Sequence, residues 1–88
     1  MKYETARRRA RIKAMAHLPY VITHETQTDN AWVFSLGDPS GGIVTANLPM
    51  LVFDKEGGDF HEVRLPSKEG FAILSEERPI RTGETHGA

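Results

Sequence analysis

The chain has 88 residues, of which 39% are hydrophobic and 26% charged, and its formal net charge is -1. This length predicts a single small globular domain, and the absence of cysteine excludes a disulfide framework, a thiolate zinc site and a cysteine nucleophile. The sequence shows no apolar signal core and no run of about 20 apolar residues, which predicts a cytoplasmic protein without a membrane span.

The first predicted element is a helix over residues 2–16, a segment without glycine or proline that is rich in Ala, Arg, Lys and Met. The small side chains of its apolar stripe would let the helix lie close against a sheet. Pro19 ends the helix. The stripe recurs at spacings of three and four residues and consists of Tyr3, Ala6, Ala10 and Ala14.

Strands and turns follow in the middle of the chain. Residues 20–26 are rich in β-branched side chains and predict a strand, which a polar turn separates from a second strand at residues 31–36. Glycine and proline in residues 37–42 predict a loop. The unbroken apolar run at residues 48–54 predicts a central strand buried on both faces.

A hairpin and a short helix are predicted for the rest of the domain. Gly57 and Gly58 favour a hairpin turn into a strand at residues 60–65, since glycine adopts the positive φ that such turns need. Ser67 is a candidate N-cap for a helix that ends near Glu77. The predicted core includes Phe34, Leu51, Phe53, Val63 and Phe71.

These elements predict an α+β fold. An antiparallel sheet of about four strands would carry the N-terminal helix on one face and a short C-terminal helix beside it. The domain would span residues 1–78, and residues 79–88 would form a flexible C-terminal tail.

Charge is unevenly distributed along the chain. Residues 1–17 hold six basic residues against one acid, whereas residues 18–62 hold seven acids against one lysine. A basic helix can contact phosphates, but the net charge near zero and the lack of interleaved aromatic residues argue against a nucleic-acid binder. The alternative to phosphate binding is that an acidic sheet compensates the positive charge of this helix, or that water solvates it. The candidate phosphate-binding residues are Arg7, Arg8, Arg9, Arg11 and Lys13.

No motif in the sequence predicts catalysis, a metal site or a cofactor. His24-Glu25 fails the zinc-protease pattern because Thr28 stands where the second histidine is needed. Gly41-Gly42 is not followed by the lysine and hydroxyl of a phosphate loop. The sequence therefore predicts a binding protein rather than an enzyme.

Four short segments occur in a distinctive order. They read LPYVIT at residues 18–23, WVF at 32–34, ANLPMLVFDKEGG at 46–58 and FHEV at 60–63. In this order they resemble the YrhB family, also called the bacterial immunity protein 35 family, over residues 3–75. The arginine-rich first helix departs from the family's pattern.

The resemblance implies a small cytoplasmic protein that binds and neutralises a cognate toxin, although some relatives are described as heat-protective chaperones. An inhibitor of this kind needs a charged, shape-matched surface. A nucleic-acid-associated regulatory module that uses the basic helix is the alternative from a different class. The oligomeric state, a homodimer included, stays open. The candidate partner-binding residues are Asp29, Asp38, Asp54, Glu56 and Asp59.

Overall fold

A five-stranded antiparallel sheet forms the centre of the computed structural model, which describes residues 1–44 and 47–81. The strand order across the sheet is β4-β3-β2-β1-β5. The α+β class, the antiparallel sheet and the N-terminal helix are confirmed. No helix in the described ranges is long and apolar enough to cross a membrane. The elements in chain order are α1 (Tyr3–Ala14), a 3-10 turn (Met15–His17), β1 (Val21–Gln27), β2 (Ala31–Gly37), β3 (Met50–Asp54), β4 (Phe60–Val63), α2 (Lys68–Glu76) and β5 (Arg78–Pro79).

One face of the sheet is covered by α1. Ala6 and Ala10 on the predicted stripe have no exposed surface. Because their side chains are short, the helix lies close to the sheet, and the aromatic side chains of the strands fill the layer. Phe34 stacks 6.4 Å from the ring of Tyr3 and meets Phe53 edge to face at 5.9 Å. The buried cluster on this face is Tyr3, Ala6, Ala10, Ala14, Trp32, Phe34, Leu51 and Phe53.

The opposite face of the sheet carries the second core cluster, which includes Ile73 of α2 beside Val33 and Val52. The prediction that Phe71 is buried is wrong, since this side chain is 58% exposed. Residues two positions apart in a helix point in directions about 200° apart around the helix axis. Phe71 therefore lies almost opposite Ile73, the residue that packs on the sheet. The other predicted core residues, Phe34, Leu51, Phe53 and Val63, are buried.

The ends of two elements form as the sequence predicts. The Ser67 side chain accepts a hydrogen bond of 2.9 Å from Gly70 N and so caps α2. Gly58 adopts a φ of 75° in the turn between β3 and β4, a conformation that glycine tolerates without steric cost. Ser67 and Gly58 thus fix where α2 and β4 begin.

The fifth strand was not predicted. β5 follows α2 directly and pairs antiparallel with the end of β1, with Pro79 opposite Thr26 and Arg78 opposite Gln27. Ile80 then packs against the cluster under α1. The part of the predicted tail that the structure describes therefore begins within the sheet, and residues 82–88 lie outside the described ranges.

Tyr3 ties α1 to β1. Its hydroxyl donates a hydrogen bond to Glu25 Oε1. Burial, this hydrogen bond and the negative charge of Glu25 together raise the pKa of Tyr3 to about 12, because each disfavours the phenolate.

We expect Tyr3→Phe to lower the free energy of unfolding by about 1–2 kcal/mol at pH 7, because a hydrogen bond to a carboxylate is lost. Tyrosine ionises near pH 10.0 in the unfolded chain but only near pH 12 in the fold. The advantage of the wild type is therefore complete below pH 10 and declines as the pH rises from 10 to 12. Urea unfolding of the wild type and Tyr3→Phe at pH 7 and pH 11 measures this difference in free energy of unfolding. The same difference at both pH values would contradict a stabilising hydrogen bond from the Tyr3 hydroxyl.

Candidate partner-binding surface

Two turns bring acidic residues to one end of the sheet, which we call the acidic end. The β1–β2 turn and the β3–β4 turn are neighbours there, because Ala31 pairs with Asp54 and Lys55 N donates a 2.9 Å hydrogen bond to Asn30 O. The acidic end thus gathers four of the five acids predicted from the sequence. They are Asp29, Asp54, Glu56 and Asp59.

Asp38 lies at the opposite end of the sheet, after the last residue of β2. Its Oδ1 accepts hydrogen bonds of 2.7 Å from Ser40 Oγ and 2.8 Å from Ser40 N. Both bonds lower the pKa of Asp38, and the bond from the Ser40 side chain has the larger effect. Asp38 shapes its own loop and is not part of the acidic end.

At the acidic end, a groove of about 290 Å³ between α2 and the sheet opens beside the β1–β2 and β3–β4 turns. Its walls include Asp54 from β3 together with Glu69 and Glu76 from α2. Sequence reasoning missed both glutamates of α2. The available signal was their spacing of seven residues, which places them on the same side of a helix as Ile73.

Some carboxylates at the acidic end already have partners within the chain. Arg78 Nη1 lies 2.6 Å from Asp29 Oδ1, and His61 Nε2 lies 2.5 Å from Glu69 Oε2. Glu56, Asp59 and Glu76 form no ion pair within the described residues, and all three are exposed. These three carboxylates are available to a basic partner.

Lys55 is a cation fixed inside the acidic end. Its ammonium donates a 2.7 Å hydrogen bond to Gln27 Oε1 and lies 4.3 Å from the centre of the Trp32 ring. The Gln27 side chain is fully buried and also donates a 3.0 Å bond from Nε2 to Pro79 O. Lys55 thus takes part in holding β1, β5 and the β3–β4 turn together.

An apolar patch lies on the outer side of α2. Phe71 is 58% exposed and Leu74 is 43% exposed. Residues three apart are neighbours on a helix surface, so the two side chains form one patch. Glu69, Ile73 and Glu76 line the groove on the other side of the same helix, so this apolar patch is a surface separate from the groove.

The predicted basic helix is only partly compensated by the sheet. Arg7 Nε lies 3.5 Å from Glu25 Oε2, and Lys13 Nζ lies 4.9 Å from the centre of the Phe60 ring. Arg8, Arg9 and Arg11 form no ion pair in the part of the chain that the structure describes. The molecule therefore has a basic helix on one face of the sheet and an acidic end shared by the turns and α2.

Within the described ranges, no group of three or more His, Asp and Glu side chains is arranged to hold a metal ion. No family model, curated protein or solved structure matches the chain. The resemblance to the YrhB family therefore stays a prediction that rests on the sequence segments quoted above.

Proposed function

We propose that this chain is a non-enzymatic immunity protein that neutralises a cognate toxin by binding it directly. The observation that carries the proposal is the convergence of acidic residues from two turns and α2 at one end of the sheet. Acidic surfaces suit a toxin whose active site is basic, because complementary charge speeds encounter and fixes the orientation of the complex.

The acidic end also has the composition of a protein interface. Tight interfaces place a few aromatic or aliphatic anchors among polar groups, and the anchors supply most of the binding energy. The groove beside the turns has an apolar lining of Ala31, Val52 and Ile73, which would accept an apolar anchor of the toxin. Glu56, Asp59 and Glu76 would meet basic side chains of the toxin. Because Lys55 and Gln27 fix the neighbouring turn, little ordering would be needed on binding.

The first experiment is a nuclease-treated pull-down of the tagged protein from lysate of its native host. We expect one equimolar partner, which is toxic when expressed alone and harmless when expressed together with this chain. Many substoichiometric clients would instead support a chaperone. Partners recovered only when the nuclease is omitted would support a nucleic-acid-associated module that uses Arg8, Arg9 and Arg11.

Charge reversal then tests the surface. We expect Glu56→Lys combined with Asp59→Lys to weaken binding of the captured toxin at least about tenfold, because two attractive contacts become repulsive. Asp38→Lys is the control, since it makes the same kind of change at the opposite end of the sheet. Titration calorimetry measures the affinity of both variants for the toxin, and thermal unfolding verifies that both are folded. Equal losses in the two proteins would remove the acidic end from the interface.

A further inference from the structure

The outer edge of β1 is only partly covered by another strand. β5 pairs with Thr26 and Gln27, so residues 21–25 have no strand beside them on that side among the described residues. The pairing of β1 with β2 shifts register between Ile22 and His24. On either side of this irregularity, the backbone groups that point away from β2 are the kind of edge to which an extended peptide adds as a new strand.

A groove of about 340 Å³ runs between this edge and α1. Its apolar wall includes Met15, Leu18 and Val21, and the first two side chains are 64% and 65% exposed. Exposed apolar side chains of this size beside a free strand edge offer pockets for alternate side chains of an added strand.

The groove also carries more positive than negative charge. Arg7 and Arg11 line it together with a single acid, Glu25. Glu25 is already engaged by the Tyr3 hydroxyl and by Arg7, whereas Arg11 forms no ion pair in the described part of the chain. An anionic group in the groove would therefore meet an uncompensated guanidinium.

The spacing of the two arginines matches that of an extended peptide. Arg7 and Arg11 are separated by one helical turn, about 6 Å along the axis. Side chains on one face of a strand repeat about every 6.8 Å. Two acidic residues at alternate positions of an added strand could thus each reach one arginine.

We propose that β1 and this groove bind an extended segment of a partner protein, added as a strand, with two alternate acidic residues followed by alternate apolar residues. A second copy of this chain fits the groove less well. The acidic residue that its own β1 would bring to the arginines is Glu25, which already contacts Tyr3 and Arg7 of its own chain. This surface is separate from the acidic end, so it is tested independently of the toxin.

The test uses two fluorescein-labelled peptides, TETETVTVT and TKTKTVTVT, and fluorescence anisotropy with the full chain. We expect the glutamate peptide to bind at least about tenfold more tightly than the lysine peptide. Arg7→Gln combined with Arg11→Gln should remove this preference. The matched control, Lys2→Gln combined with Arg9→Gln, makes the same charge change on the same helix outside the groove and should preserve it.

Backbone methylation separates strand addition from simple charge attraction. Alternate amides of an added strand point toward β1, and the others point away from it. Two versions of the glutamate peptide are therefore made, each N-methylated on one of these two sets. Both keep their charge, but only one of them loses the hydrogen bonds to β1. We expect one methylated peptide to bind at least about tenfold more weakly than the other. Equal binding of both methylated peptides would overturn the proposal.

Three further outcomes would also overturn it. The first is equal binding of the glutamate and lysine peptides, or equal losses in the two arginine variants. The second is a dimer of the free chain that sedimentation detects and the glutamate peptide dissociates, which would assign the groove to a second copy. The third is peptide binding only after residues 82–88 are removed, which would assign the groove to the chain's own C-terminal segment.

Discussion

Replacing Phe34 with alanine is expected to lower the free energy of unfolding by about 3–5 kcal/mol, the usual cost of removing a buried phenylalanine ring. The side chain has no exposed surface and lies between the rings of Tyr3 and Phe53, where α1 meets the sheet. The loss combines the transfer of the ring to water with the cavity it leaves. The total free energy of unfolding of a small domain is only about 5–15 kcal/mol, so this one substitution removes a large share of the stability.

Phe71→Ala is the matched control, because the same atoms are removed from an exposed position. We expect its free energy of unfolding to stay within about 0.5 kcal/mol of the wild type. Urea unfolding followed by tryptophan fluorescence measures both variants, since the single tryptophan, Trp32, is in the cluster with Phe34. Similar losses in the two variants would contradict the orientation of α2 described above.

Replacing Gln27 with methionine is expected to lower the free energy of unfolding by about 2–4 kcal/mol, although methionine has almost the same shape and is more apolar. The Gln27 amide accepts a bond from Lys55 and donates one to Pro79 O, so the substitution removes partners from an ammonium and a carbonyl. The substitution removes these two hydrogen bonds of a fully buried amide, one of them to a charged group, and the added apolar contact does not offset that loss.

Lys55→Met provides the comparison for Gln27. It removes one of these two bonds and leaves the bond to Pro79 O, so we expect a smaller loss of about 1–2 kcal/mol. The double variant should lose less than the sum of the two single losses, because both substitutions remove the same hydrogen bond. Chemical denaturation of the three proteins closes the cycle. Additive losses would show that Lys55 and Gln27 are not coupled.

Hydrogen exchange gives a second view of Gln27. Its bond to Pro79 O helps to attach β5 to β1. In Gln27→Met, exchange should therefore accelerate more for amides at the end of β1 than for amides of β3, which lies inside the sheet between β2 and β4. Uniform acceleration over the sheet would show that Gln27 stabilises the whole domain instead of this edge.

Local sequence patterns were enough to predict the elements whose geometry depends on neighbouring residues. Ala6 and Ala10 recur at helical spacing and allow a close helix–sheet contact wherever that helix packs. Alternation in β2 places Trp32 and Phe34 on one face, and Gly58 and Ser67 specify a turn and a cap through their own backbone and hydroxyl chemistry. Each of these features needs only a few consecutive residues to be recognised.

Long-range packing accounts for three features that local patterns did not predict. They are β5, the exposure of Phe71 and the separation of Asp38 from the other acids. β5 has two residues and exists because α2 returns the chain to the edge of β1. Phe71 is exposed because Ile73 meets the sheet instead. Asp38 and Asp59 look alike in sequence, yet the antiparallel order places their turns at opposite ends. Such outcomes depend on contacts between residues distant along the chain, which local patterns do not encode.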